Sequence, residues 1–256
     1  MHDVQANATL SGLTMKKLLP RLVIAAAVAA CLGSTQASVI TFDEVIDSSN
    51  AGFVPLMGHL DEFTTQGYWV DTFSTKAGRQ PGDLVGALLD GSDLANTCAG
   101  LVCPTGNTSK FLAALNDGLP DIGRLDGGAF RLTQFDASFI AASGDAVPTT
   151  SLLLRVEGYS TSALLFQQDF FLPGPVNGAY NFATYALSTV NAETSVNDIA
   201  FRGFACNAAG SCSRALDKAQ FAIDNFTVPE PASWLLVGLQ LVAMGALARR
   251  RAVNAA

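Results

Sequence analysis

The chain is poor in the side chains from which most enzyme active sites are built. Only 14% of its residues are charged, and it has two histidines, of which His59 alone lies away from the N-terminus. It lacks a Gly-x-Ser-x-Gly nucleophile elbow, which excludes the usual α/β-hydrolase site, and it lacks a repeat of fixed period, which excludes a solenoid or propeller. A lone histidine is more often a satisfied residue than a general base. The sequence therefore predicts a protein that is not an enzyme.

Basic residues are scarce in the middle of the chain. Six of the fifteen Lys and Arg residues lie near the ends, which leaves nine, whereas twenty of the twenty-two Asp and Glu residues lie between residues 38 and 228. A domain with this charge is repelled by phosphate backbones, so no binding to nucleic acid is expected. Its charge suits cations or neutral glycans instead.

The C-terminal segment has no charged residue between residues 233 and 248, and this apolar stretch ends in Arg249, Arg250 and Arg251. As a helix it is just long enough to span a bilayer, with its arginines held in the cytoplasm. A core helix of the same length is the alternative, but it would leave three adjacent cations without solvent. The segment is therefore predicted to be a transmembrane helix with a cytoplasmic arginine anchor.

The N-terminal segment, residues 1–37, has the parts of a secretory signal peptide. Two lysines follow Met15 and precede an apolar stretch, and small residues then allow cleavage after Ala37. The polar residues before Met15 make Met15 the predicted true start. A lipobox that ends at Cys31, which would then carry a lipid, is a competing interpretation. Both interpretations predict that the domain between the two ends, residues 38–228, is exported.

The end of the chain shows a characteristic order of features: Pro229-Glu230-Pro231, then the apolar stretch, then three arginines. This order resembles the PEP-CTERM sorting signal of exported proteins from Gram-negative bacteria that make exopolysaccharide. Residues 220–224, Gln-Phe-Ala-Ile-Asp, resemble the Gln-Phe-x-x-Asp signature of one subgroup. The resemblance covers residues 229–251, and residues 252–256 form a short tail. It implies exosortase as the processing partner, transient anchoring in the inner membrane, and transfer to the cell surface or extracellular matrix.

Four cysteines of the exported part lie in two turn-rich loops, Cys98 with Cys103 and Cys206 with Cys212. Four cysteines allow three pairings, and short separations in flexible loops favour the two local disulfides. A zinc site is the alternative, although no histidine lies near either pair. The pattern indicates an oxidising compartment.

Apolar residues between the two ends alternate with period two far more often than they recur every three or four residues. Strands are predicted over residues 39–43, 68–74, 130–135, 152–157, 164–172, 180–187, 196–204 and 219–228, and one short helix over residues 109–116. Without helical crossovers, the strands must pair antiparallel. The fold class is therefore all-β, a single β-sandwich of about eight to ten strands. Its first and last strands resemble those of jelly-roll carbohydrate-binding modules.

Oxygen-bearing side chains lie near both ends of the predicted sandwich. Asp43 and Glu44 follow the first strand, and Asp224 and Asn225 lie in the last strand. If the terminal strands pair, these side chains converge and suit a structural calcium ion. The alternative is that they are ordinary solvent-facing residues. No other cofactor is predicted.

Tyr68 and Trp69 are neighbours in a predicted strand, so their side chains point to opposite faces of a sheet. One ring must face away from the core, where it could stack on a sugar, although burial of Trp69 in the core is the alternative. The protein is thus predicted to bind or organise exopolysaccharide without catalysis. A secreted glycan hydrolase, which needs only two carboxylates, and a ligand-free structural or adhesive module are the alternatives.

Overall fold

The computed structural model describes residues 37–44, 56–98, 100–142, 151–214 and 218–229. The predictions for residues 1–36 and 230–256, which include most of the signal peptide, most of the sorting signal and the transmembrane helix, lie outside these ranges. Within the ranges, no helix is long and apolar enough to cross a membrane.

The described residues form two seven-stranded sheets, a two-stranded ribbon and two short helices. Sheet A contains β1 Ala37–Ile40, β2 Leu56–Gly58, β5 Leu84–Asp90, β7 Lys110–Ala114, β9 Gln134–Phe139, β13 Ala183–Ala186 and β16 Phe221–Pro229. Sheet B contains β3 Asp61–Thr65, β4 Tyr68–Ser74, β8 Gly118–Arg124, β11 Ser151–Ser160, β12 Ala163–Pro173, β14 Asp198–Cys206 and β15 Cys212–Ser213. The ribbon pairs β6 Leu101–Val102 with β10 Ala141–Ala142, and the helices are α1 Leu94–Thr97 and α2 Thr189–Glu193.

The strand order is that of a jelly roll. Sheet A has the order β13-β9-β16-β7-β5-β2, and sheet B has the order β12-β11-β14-β8-β4-β3, with β1 and β15 added along β16 and β14. All these pairings are antiparallel. Because β7, β8, β9 and β11 lie alternately in sheets A and B, the chain follows the double Greek-key path of this class. The predicted antiparallel β-sandwich is confirmed.

The main core fills the space between the two sheets and is rich in phenylalanine. Phe135 of β9 is fully buried, and its ring centroid lies 5.3 Å from that of Phe170, 5.4 Å from that of Phe201 and 5.9 Å from that of Tyr185. Rings from both sheets therefore interlock at this point. Edge-to-face contacts of this kind add to the stabilisation that burial alone provides.

A second apolar cluster covers the other face of sheet A. Leu89 of β5 and Phe111 of β7 are buried there, with Leu94, Leu101 and Cys103 from the loop that follows β5 packed against the cluster. Strands buried on both faces have continuous apolar runs rather than alternation. The helix predicted over residues 109–116 is wrong for this reason: alanine and leucine suggested a helix, and burial on both faces makes the segment β7.

Both predicted disulfides are confirmed. Cys98 is bonded to Cys103 in the loop that covers the second cluster, and Cys206 of β14 is bonded to its register partner Cys212 of β15. Disulfides of this kind are typical of an extracellular or periplasmic protein.

Candidate functional site

Acidic side chains line the outer face of sheet B. Asp71 of β4 lies directly opposite Asp121 of β8 in the register of the sheet. Their neighbours Val70 and Ile122 are in the main core, so Asp71 and Asp121 point away from it. Asp198, opposite Gly123 on the next strand, lies on the same face. Three strands thus bring together carboxylates that are far apart in the sequence.

Trp69 lies on this outer face beside the carboxylates. Its register partner is Gly123, and the indole occupies the space into which a side chain at position 123 would project. The indole is partly exposed, so it is not part of the core. Tyr68 is only 9% exposed and packs in the core with its ring centroid 5.3 Å from that of Phe130. Of the two predicted ligand-binding residues, only Trp69 is placed where a surface ligand can reach it.

Tyr159 borders the carboxylates on the side away from Trp69. It lies opposite Asp198 and donates a hydrogen bond from its hydroxyl to Oε2 of Glu157 over 2.8 Å. Arg202 Nη2 lies 3.3 Å from the same oxygen, and Glu157 is only 7% exposed. These contacts hold Tyr159 in place. We call the surface formed by Trp69, Asp71, Asp121, Asp198 and Tyr159 the Trp69 face.

Burial and mutual repulsion raise the pKa values of carboxyl groups on the Trp69 face. Burial, together with the smaller effects of the charges of Asp198 and Asp71, raises the pKa of Asp121 to about 7. Burial also raises the pKa of Asp71 and that of Asp198. Oδ1 of Asp71 and Oδ1 of Asp121 are buried and have no hydrogen-bond partner among the described residues. Such oxygens are costly to leave unsatisfied.

The raised pKa of Asp121 leads to a prediction about stability. Between its ordinary pKa near 3.8 and its folded value near 7, the native state binds more protons than the unfolded state, so stability falls as pH rises. We expect Asp121→Asn to flatten this fall and to melt at a higher temperature than the unaltered protein at about pH 8. Melting temperatures measured across this pH range test the expectation.

Asp126→Asn is the matched control for this measurement. Arg124 lowers the pKa of Asp126 to about 2, so above about pH 5 that carboxyl stays ionised in both states and adds no slope. The melting temperature of Asp126→Asn should therefore change with pH in the same way as that of the unaltered protein. If Asp121→Asn also gave a parallel curve, the assigned protonation of Asp121 would be wrong.

The four predicted calcium ligands do not come together as a metal-binding group in the described structure. The terminal strands β1 and β16 do pair, as the prediction required. Asp43 Oδ1 accepts a hydrogen bond from the backbone N–H of Lys110 at 2.9 Å, and Asn225 Nδ2 donates to Asp136 at 2.8 Å. Glu44 is exposed. In the described parts of the chain, no three His, Cys, Asp or Glu side chains form a group that could hold a metal ion.

Asp224 differs from the other three candidates because it is fully buried. Its Oδ2 accepts hydrogen bonds from Asn107 Nδ2 at 2.7 Å and Ser109 Oγ at 2.6 Å. These bonds hold the loop between β6 and β7 against β16. Its Oδ1 has no partner among the described residues, and burial raises its pKa. Asp224 is thus the one residue of the predicted set with a buried side-chain oxygen that lacks a partner among the described residues.

His59 is a satisfied buried residue. Its Nδ1 accepts a hydrogen bond from the backbone N–H of Ser74 at 3.1 Å, and its ring packs against that of Phe73.

Sequence reasoning did not single out Asp71, Asp121, Asp198 or Tyr159. The available signal was the alternation Trp69-Val70-Asp71 in a predicted strand, which already put an aromatic and an acidic residue on one face. Strand β8, which carries Asp121, was not predicted, so its position opposite Asp71 was not foreseeable.

Comparisons with known proteins found matches among solved structures. No family model and no curated protein matches the chain. A DUF4465 family protein from Bacteroides ovatus has a TM-score of 0.40 and 10% identity, covering 76% of this chain and 100% of that chain. The Stig cyclase Fisc from Fischerella sp. TAU has a TM-score of 0.38 and 11% identity, covering 77% and 99%. The module TmCBM61, solved with β-1,4-galactotriose, has a TM-score of 0.30 and 8% identity, covering 62% and 86%. At these scores the likenesses carry no argument about function.

Proposed function

We propose that this protein is an exported, non-enzymatic module of the cell surface or extracellular matrix that holds exopolysaccharide on its Trp69 face. The observation that carries the proposal is the position of the partly exposed Trp69 indole on the same face of sheet B as the carboxyl groups of Asp71, Asp121 and Asp198. An aromatic ring offers an apolar surface to a sugar ring, while carboxyl oxygens accept hydrogen bonds from sugar hydroxyls. A neutral glycan fits this surface better than an anionic one, because the surrounding side chains are acidic.

The proposed route to the surface rests on the two ends of the chain. The signal peptide directs the domain across the inner membrane, and the apolar segment at residues 233–248 holds it there with Arg249 to Arg251 inside. Exosortase then processes the chain near Pro229-Glu230-Pro231. The disulfides support this route, since they are typical of proteins outside the cytoplasm.

A glycan hydrolase is the second candidate, and one observation favours it. Asp71 and Asp121 are register partners on neighbouring strands, and the pKa of Asp121 is raised to about 7. A carboxylic acid that stays protonated near neutral pH beside an ionised partner is the arrangement of retaining glycosidases. We place it second because Asp71 and Asp121 lie on the outer face of a sheet, where their side chains point away from the core.

An array of neutral and acidic oligosaccharides tests both candidates. We expect the purified protein to bind neutral members and to release no new reducing ends from the best-bound one. Release of reducing ends that stops in Asp121→Asn would favour the hydrolase. If neither binding nor cleavage occurs, the Trp69 face is not a glycan site and the ligand-free module remains.

Thermal melting with and without calcium tests whether the protein holds a structural calcium ion. If calcium binds at Asp224, the melting temperature should be higher in calcium than in chelator, and Asp224→Asn should abolish the difference. Asp126→Asn serves as the control, because Asp126 follows β8 of sheet B and is paired with Arg124 rather than with any predicted calcium ligand. Identical melting curves in calcium and chelator would remove calcium from the proposal.

A further inference from the structure

Strand β12 is longer than the other edge strands of the two sheets. The edge strands β2, β3 and β13 have three, five and four residues, and β3 carries exposed Asp61 and Glu62. Short or charged edges resist pairing with another chain. β12 has eleven residues, and its one charged residue, Asp169, is already paired with Arg155 at 2.7 Å. β12 is therefore the one sheet edge of the described structure without these protections.

The backbone groups of Gln167 and Asp169 on the outward edge of β12 have no hydrogen-bond partner among the described residues. Apart from its ladder with β11, β12 makes no backbone hydrogen bond to the described residues. The carbonyl of Phe171 accepts from the Tyr185 hydroxyl at 3.4 Å, so it points away from β11. Since direction alternates along a strand, the backbone groups of Gln167 and Asp169 point outward as well. α2 is hydrogen-bonded to the side chain of Gln168 and does not pair with these groups.

The side chains along this edge are complementary to a second copy of the same strand. Antiparallel pairing about a twofold axis can place Gln167 opposite Asp169, and it brings Leu165, the extra residue of a β-bulge in β12, next to Phe171. Leu165 is 47% exposed and Phe171 is 62% exposed in the single chain, so this register covers both apolar side chains. A shift of two residues would put Asp169 opposite Asp169 or Leu165 opposite Asp169, both of which are unfavourable.

We propose that the protein forms a homodimer in which two β12 strands pair antiparallel and join the two B sheets into one. The interface is isologous, as in most twofold dimers. The twofold axis is perpendicular to the sheet, so the two Trp69 faces point in the same direction. If the proposed function is right, the dimer presents two glycan sites to one polymer and gains from multivalency. The dimer itself does not depend on that function.

The mass of the full chain in mild detergent tests this proposal by light scattering. We expect about twice the mass of one chain, and about one chain mass for Leu165→Lys combined with Phe171→Lys, because two like charges would then face each other across the strand pair. Leu125→Lys combined with Leu84→Lys, at two exposed apolar positions outside β12 and α2, should remain dimeric. A single-chain mass for the unaltered protein, or a dimer that survives the β12 variant, would overturn the proposal.

Hydrogen exchange provides a second readout that separates pairing from misfolding. In the dimer, the outward amides of Gln167 and Asp169 should exchange slowly, and in the lysine variant they should exchange quickly. The amides of Gln168 and Phe170, which face β11, should stay protected in both proteins if the variant is folded. Fast exchange at Gln167 and Asp169 in the unaltered protein would contradict strand pairing.

Discussion

Trp69→Ala is expected to abolish most of the glycan affinity. If the indole is the stacking platform of the site, it is a binding hot spot, and its removal should weaken binding by about 30-fold or more. The comparison uses isothermal titration with the best-bound neutral oligosaccharide of the array. Because the indole also packs on Gly123, the melting temperature of the variant is measured first, so that lost binding is not mistaken for lost folding.

Two further variants make this prediction specific. Gly123→Ala keeps the indole but adds a methyl group where the ring now lies, so it should displace the ring and also weaken binding. Leu84→Ala removes an exposed apolar side chain from sheet A and should leave binding unchanged. A Trp69→Ala protein that is folded and binds as tightly as the unaltered protein would refute the Trp69 face as the glycan site.

Phe135→Ala is expected to have the largest effect on stability. Its side chain is fully buried and contacts the rings of Phe170, Tyr185 and Phe201. Removing it leaves a cavity between the sheets that the surrounding rings cannot fill, which costs about 3–5 kcal/mol of the free energy of unfolding. Urea unfolding, with a common slope for both proteins, measures this loss.

The control for this experiment is Leu125→Ala, which removes an apolar side chain that is 55% exposed. It should change the free energy of unfolding by less than about 0.5 kcal/mol. A loss below about 1 kcal/mol for Phe135→Ala would mean that the ring cluster is not at the centre of the core.

The stability and the affinity experiments address different parts of the molecule. Phe135 lies between the sheets, whereas Trp69 lies on the outer face of sheet B. The two substitutions should therefore act independently, and a mild core variant such as Phe135→Leu should keep its glycan affinity while it is folded. If the core variant lost affinity while still folded, the Trp69 face would depend on packing between the sheets rather than on its own residues.

Local patterns were enough to predict the class of fold. The strand predicted over residues 68–74 matches β4 at both ends, and burial alternates along it because one face lies in the core and the other toward solvent. The short sequence separation within each cysteine pair was likewise enough to predict the two disulfides. The sorting signal at residues 229–251 also depends only on local order, and it stays a prediction from sequence.

Where a segment is buried on both faces, the local pattern was misleading. β5 and β7 lie between the main core and the second cluster, so their apolar residues do not alternate. The segment around Phe111, with its alanines and leucines, has the composition of a helix. The segment is a strand because the loop between β5 and β7, which contains Cys98 and Cys103, packs on its second face and buries it there as well.

Strand alternation predicted that Tyr68 and Trp69 would point to opposite faces, because that follows from backbone geometry alone. The packing of two sheets decided which ring is inside. The acidic neighbours of Trp69 come from β4, β8 and β14, and their meeting depends on the register between strands that are 50 or more residues apart in the chain. Register is a property of paired strands and not of any one segment, so the composition of the Trp69 face became visible only in the folded sheet.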